Sequence, residues 1–250
     1  MAEDRIALDD LPPSFEQTRD ALHRLALHVV YRVRRDATGR YGLCWTPGGF
    51  GTPVFGDGEQ VRVAGETLVH QSAGAVRTTP ITTLEQVAEF LGRAVEPDFD
   101  HGFSDVVPAG EVGAPLALDA VAVEALGDFY GFADGVLRAV RSDALDRGAD
   151  VSEITLWPEH FDIALDLAYG EPASERRVNV GGSPGDSGHP TPYLYVGPWT
   201  DERPGDGDYW NAGFGATLSH GEICDLGDAR AQHEAAVAFV RTGLDRLRDG

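Results

Sequence analysis

ITLWPEHFDIALDLAYG (residues 154–170) and ERRVNVGGSPGDSGHPTPYLYVGPW (residues 175–199) decide the fold class. From His160 onward, Phe161, Ile163, Leu165 and Leu167 alternate with His160, Asp162, Ala164, Asp166 and Ala168. That is the period of a strand buried on one face. Val178 and Val180 continue the pattern, and Leu194 and Val196 resume it. Between those two runs stands Gly-Gly-Ser-Pro-Gly-Asp-Ser-Gly (181–188), where Pro184 presets its own φ and Gly185 is free to take the positive φ of a type II turn. Three adjacent antiparallel strands follow. With the apolar residues on one face, the other collects His160, Asp162, Asp166, Asn179, Tyr193 and Tyr195. Such a face is either a ligand pocket or a wetted surface, since antiparallel sheets commonly leave one side to solvent.

Outward from this centre the chain reads as helices around strands. Ser14 with Gln17 has capping-box spacing ahead of a stripe of Leu22, Leu25, Ala26, Val29 and Val33. His23 and His28 fall outside that stripe and are expected at the surface. Thr46–Pro53 holds three glycines and two prolines, which argues against regular structure there. Residues 59–63 and 66–71 form a hairpin pattern about Ala64-Gly65, with a short strand at 76–81. Thr83 and Gln86 open a second helix, Asp119 a third with Ala122, Leu126, Phe129, Ala133, Val136, Leu137 and Val140 in its stripe, and Asp228 a fourth. His233 sits on that last helix's apolar side, as a core histidine. A final strand is expected from Phe214 to Ile223. The expected fold is therefore α+β: antiparallel sheets with about four main helices, as one domain over 1–250. Two similar halves, 14–94 and 116–250 joined by the irregular segment 95–115, are the alternative organisation.

Composition narrows the partners. The chain has 250 residues, 41 acidic and 20 basic, for a formal net charge of −21, and every basic residue is arginine. Such a surface repels phosphate backbones and anionic headgroups, so nucleic acid and membranes are not expected partners. Cys44 and Cys224 are far apart with no CxxC, as free thiols in a reducing compartment. The opening MAEDRIALDD lacks the basic-then-apolar order of a secretory signal, and a cytoplasmic location is expected.

The chemistry concentrates in the opening stretch. His160 and Asp162 put an imidazole and a carboxylate on one side of a strand, as acid, base or ligand and its partner. Trp157, Asn179, Tyr193 and Tyr195 are the candidate binding residues. His160 and Asp162 with the distant His220, and Arg230 beyond, have the order of a two-histidine, one-carboxylate iron site, so a divalent metal is the one cofactor the residue types suggest. The spacing resembles that of non-haem iron oxygenases that use 2-oxoglutarate, which implies an iron-dependent oxygenase as the rival function. His101 with Asp98, Asp100 and Asp105 has weaker metal-site chemistry in an acidic loop. Gly127, Gly131 and Gly135 recur every fourth residue on the third helix, a seam for close backbone approach and a reason to consider a homodimer or a non-catalytic assembly module. The leading reading is a soluble protein, enzyme or not, that binds a small molecule on the polar and aromatic sheet face.

Leu-Trp-Pro-Glu-His-Phe-Asp (156–162), Ser-Pro-Gly-Asp (183–186) and Pro-Tyr-Leu-Tyr-Val-Gly-Pro-Trp (192–199) resemble the Trp-Pro-x-His-Phe-Asp and Ser-Pro-Gly-Asp blocks of a bacterial protein family without an assigned activity. The resemblance spans less than a fifth of the chain and implies no catalytic residues.

Overall fold

The computed structural model describes residues 5–104, 106–169, 176–205 and 207–249. Its strands form two five-stranded antiparallel sheets: one takes its strands in chain order between Cys44 and Pro80, and the other takes those between Thr155 and Ser219, also in chain order. With the helices described below, this is the α+β fold that the alternation implies. The chain divides into two compact units. The first comprises Leu11–Tyr130 with Leu156–Phe161; the second comprises the N-terminal residues through Asp10, Gly131–Thr155 and Asp162–Gly250. The division passes through the long helix at Tyr130 and not through 95–115, which lies wholly inside the first unit because its side chains and carbonyls bond to that unit's own helix.

In the first unit α1 (Phe15–Leu25) runs without a break through a π-helical turn (Ala26–Val30) into α2 (Tyr31–Thr38). Ser14 occupies the N-cap, but its side chain makes no capping bond. The expected stripe is buried, from Leu22 to Val33. His28 is buried with it at 4% exposure, against expectation. The helix is covered on that side as well: all five residues of the π turn are buried, and His28 Nε2 lies 2.7 Å from the Val107 carbonyl oxygen of the 95–115 segment.

β1 (Cys44–Thr46) and β2 (Gly49–Gly51) occupy the glycine-rich stretch expected to be irregular. The glycines are there for close approach: a Cβ on Gly51 would lie 2.5 Å from the carbonyl oxygen of Val61, and one on Gly49 2.7 Å from that of Val63. β3 (Gln60–Ala64), β4 (Thr67–Ser72) and β5 (Ala75–Pro80) complete the meander, and α3 (Leu84–Phe90) begins at Thr83, whose side chain accepts from the Gln86 amide. α4 (Ala120–Asp146) starts as read, with Asp119 Oδ1 accepting from Ala122 N at 3.0 Å, and its stripe from Ala122 to Val140 is buried.

The second unit holds β7 (Asp162–Ala168), β8 (Arg177–Ser183), β9 (Tyr193–Pro198), β10 (Ala216–Ser219), α5 (His220–Cys224) and α6 (Ala229–Asp249). The short strand β6 (Thr155–Trp157) precedes them in the chain. The strand expected from Phe214 to Ile223 stops at Ser219, which starts α5 through a capping box: the Ser219 side chain accepts from Glu222 N while Ser219 N donates to the Glu222 carboxylate at 2.8 Å. Asp228 caps α6 through the amides of Arg230 and Ala231, both at 2.9 Å. His233 is half-buried, edge-on to Phe132 at 6.3 Å. Among the described residues no helix is long and apolar enough to cross a membrane.

Two of the seam glycines already have neighbours within the chain. In the first unit a Cβ on Gly127 would come within 3.1 Å of the Gly48–Gly49 backbone; in the second, one on Gly135 would sit 3.6 Å from His233.

Candidate functional site

Register fixes which side chains of the second sheet share a face. Gly181 is opposite both Ala164 and Tyr195, Asp166 is opposite Asn179, and Ser183 is opposite Tyr193. Thr217 pairs with Tyr195, and Ser219 with Tyr193. Leu165, Val180 and Val196 line up on the reverse face, are at most 2% exposed, and contribute to the core. A Cβ on Gly243 of α6 would reach Val196 Cγ1 at 3.0 Å, so α6 covers that apolar face. The hydrophilic face thus carries Asp162, Asp166, Asn179, Tyr193 and Tyr195 together, as the alternation implies.

His160 does not join them. It lies in the turn at 158–161, outside β7, and is exposed. Phe161 takes φ of +56°, a left-handed conformation that ends the pleat between positions 160 and 162. That backbone is held by its surroundings in the first unit. The Phe161 ring stacks on His23 at 4.9 Å and meets Phe50 and Tyr130 edge-on, while Tyr130 Oη donates to the Phe161 carbonyl at 2.6 Å. Trp157, in the same unit, is 39% exposed.

Two polar links tie the strands on this face: Arg177 of β8 pairs with Asp166 of β7, and a second link joins β9 to β7. Tyr195 Oη donates to Asp162 Oδ2, and Asp162 is only 8% exposed. The phenol crosses β8 at the one residue that leaves space: a Cβ on Gly181 would lie 2.6 Å from Tyr195 Cζ and Oη. Burial, then the adjacent Asp162 charge, holds the Tyr195 pKa well above its ordinary value. Part of Tyr195 still reaches solvent, while its hydroxyl end is enclosed. Tyr193, 8% exposed, bonds the Ser183 side chain, and its pKa is also raised, chiefly by burial.

Aromatic rings gather beside this bond. Tyr193, Tyr195 and Phe214 form a near-equilateral triangle, with centroids 6.3, 6.4 and 6.3 Å apart. His189 adds a fourth ring, 5.3 Å from Tyr193 and 6.3 Å from Phe214. The loop presenting it is tied by Asp186 Oδ1, which accepts from Gly188 N at 2.6 Å and His189 N at 2.9 Å. Gly185 has φ of +93°, as the turn reading requires. Phe214 remains 42% exposed. Asn179 lies further along the face, where its Oδ1 accepts from Trp199 Nε1 at 2.9 Å at the exposed margin.

Sequence reasoning missed Gly181, Ser183, His189 and Phe214. Period-two counting onward from Asn179 places the first two, had the Gly-Gly-Ser run been read as strand instead of turn. No local pattern marks the other two, which arrive on loops.

His220 takes its place at the start of α5, 5% exposed, with Nδ1 at 3.4 Å from Cys224 Sγ. Burial lowers the His220 pKa, and burial with Asp10, Asp9 and Asp225 raises that of Cys224, so the pair is not a thiolate–imidazolium couple. Among the described residues no three His, Cys, Asp or Glu side chains gather closely enough to hold a metal ion. Of the trio named from residue order, His160 belongs to the first unit, and Asp162 and His220 to the second. Arg230 points its guanidinium to Glu234, at 2.7 Å. In the 95–115 segment, Asp100 Oδ1 accepts from Gly102 N at 2.9 Å, while Asp105 lies outside the described residues. No family model, curated protein or solved structure matches the chain.

Proposed function

We infer that the hydrophilic face of the second sheet binds a small organic molecule through a cationic nitrogen. The observation that carries this reading is the triangle of Tyr193, Tyr195 and Phe214. A point about 3 Å above the triangle lies within about 5 Å of all three centroids, inside the ~6 Å range over which a ring face attracts a cation. Asp162 sits at the hydroxyl of one of these rings, and both Asp162 and Asp186 act electrostatically on Tyr193. A net charge of −21 attracts a cationic ligand at long range.

The test compares choline with 3,3-dimethylbutan-1-ol, its neutral isostere, by calorimetry on the full chain. Choline is expected to bind at least about tenfold more tightly, a difference of 1.4 kcal/mol. Phe214→Ala is expected to weaken it about two- to fivefold, and Tyr193→Leu, a more buried ring, by up to about thirtyfold. Equal binding of the two probes, or no binding of either, overturns the reading.

A further inference from the structure

In the first unit, two buried histidines face one another across the packing of the 95–115 segment on the N-terminal helix. His28 comes from the π-helical turn, all five residues of which are buried, and His101 from the segment; they are 4% and 2% exposed. Their ring centroids are 5.1 Å apart at an interplanar angle of 82°. Each ring uses one nitrogen on the protein. His28 Nε2 is 2.7 Å from the Val107 carbonyl oxygen, to which it must donate, because a carbonyl only accepts. That leaves Nδ1 as a lone pair. His101 Nδ1 is 2.6 Å from Tyr31 Oη. The other nitrogens, His28 Nδ1 and His101 Nε2, are buried without a hydrogen-bond partner among the described residues. Two such polar atoms in one nest need an explanation, since buried polar groups are almost always paired.

We propose that His28 Nδ1 and His101 Nε2 are the protein ligands of a late first-row transition metal ion of the zinc or copper class. The arrangement has the features such ligands require. A metal-binding imidazole ordinarily donates its remote N–H to a carbonyl or other oxygen, which fixes ring and tautomer, and Val107 and Tyr31 supply those oxygens. With metal–nitrogen bonds of about 2.0–2.1 Å, each centroid lies about 3.2 Å from the ion, so two rings at a tetrahedral angle sit about 5.2 Å apart. The observed centroid separation of 5.1 Å, with the ring planes 82° apart, is compatible with that spacing. The donor set is neutral and nitrogen-only. That chemistry suits imidazole-seeking ions and disfavours magnesium or calcium, which take oxygen donors. With two protein ligands, the remaining positions on the ion are open to exogenous ligands. π turns recur at functional sites, and this one positions His28.

The experiment uses metal-depleted full-length protein with Zn(II) alone and Cu(I) alone as probes, read by long-range proton–nitrogen NMR of the histidine side chains. One equivalent is expected to move His28 Nδ1 and His101 Nε2 while leaving His189 and His220 in place. Chelator competition should show affinity falling at least about 100-fold in His28→Gln and His101→Phe. The loss should be about tenfold or more in Tyr31→Phe, which keeps the packing and removes only the orienting oxygen. Should the buried-histidine variants not fold, the wild-type spectra and Tyr31→Phe decide. Unmoved His28 and His101 resonances with both ions, or folded variants that keep full affinity, refute the site.

Discussion

Gly181→Ala tests the geometry of the sheet site most directly. The new Cβ would lie 2.6 Å from Tyr195 Cζ and Oη and 2.8 Å from the Ile163 carbonyl oxygen. The tyrosine can yield only by swinging off Asp162. Losing a hydrogen bond to a charged acceptor costs about 1.5–3 kcal/mol. Crowding a close-packed site adds about 1–3 kcal/mol. Replacing glycine stiffens the unfolded chain, an offset of about 0.4–1 kcal/mol. The net destabilisation is therefore roughly 2–5 kcal/mol, read from urea unfolding by circular dichroism and aromatic fluorescence together. The decisive measurement is a double-mutant cycle. In a Tyr195→Leu background the phenol is already gone, so Gly181→Ala should cost at least about 1.5 kcal/mol less than in the wild type. Additivity within about 0.5 kcal/mol, with all variants folded, would mean that the two residues do not meet as described. The same substitution displaces one ring of the aromatic triangle and should lower choline affinity, although Gly181 touches no ligand in the proposed mode.

His23 is half-buried, its ring stacked on Phe161, and the loss of solvent lowers its pKa to about 4, below the 6.5 of the unfolded chain. Between those values the unfolded state holds the extra proton, so stability falls as pH drops from about 6.5 towards 4. His23→Phe should flatten that slope by up to one proton in a series of melting temperatures, and an unchanged slope would rule the residue out as its source. Ser219→Ala removes one half of the α5 capping box and should cost about 1 kcal/mol. An effect below about 0.3 kcal/mol in urea would show that the cap does not hold α5. The Cys224 thiol, with its raised pKa, should react with a disulfide reagent more slowly at neutral pH than a small free thiol, and a faster reaction contradicts the environment given for it.

What could be read from the sequence followed from regular periods, and what could not followed from local departures from them. Ile163, Leu165, Leu167, Val178, Val180, Leu194 and Val196 alternate without interruption, and all are buried in the second sheet. The face shared by Asp162, Tyr193 and Tyr195 follows from the same count. His160 fails because a phenylalanine at φ of +56° leaves no mark on an alternation pattern. His28 fails because the 95–115 segment covers the side of the helix away from the stripe, and no period within the helix records a cover supplied from elsewhere in the chain. Glycine misleads in two places. Gly49, Gly51 and Gly181 look like turn formers by composition, yet each sits in a strand where a Cβ would lie under 3.0 Å from a neighbour. His220 was legible: Ser-His-Gly-Glu (219–222) is a capping box, overlooked because β-forming residues precede it.

The charge of the chain separates two reasons why a cation could bind the sheet site. If the protein only concentrates cations over its acidic surface, the attraction is long-range and vanishes as the Debye length shrinks from about 30 Å at 0.01 M salt to about 3 Å at 1 M. If the ion sits against Tyr193, Tyr195 and Phe214, contact with the rings is shorter than the screening distance and much of the affinity survives. Choline affinity measured across that range is therefore expected to fall and then level, with association slowing more than dissociation quickens, because steering acts on encounter. Phe214→Ala should lower the plateau and leave the salt slope unchanged, since it removes a ring and no charge. A decline to no measurable binding at 1 M salt, with the same curve for Phe214→Ala, would assign the effect to the net charge of −21 alone and remove the aromatic triangle from the argument.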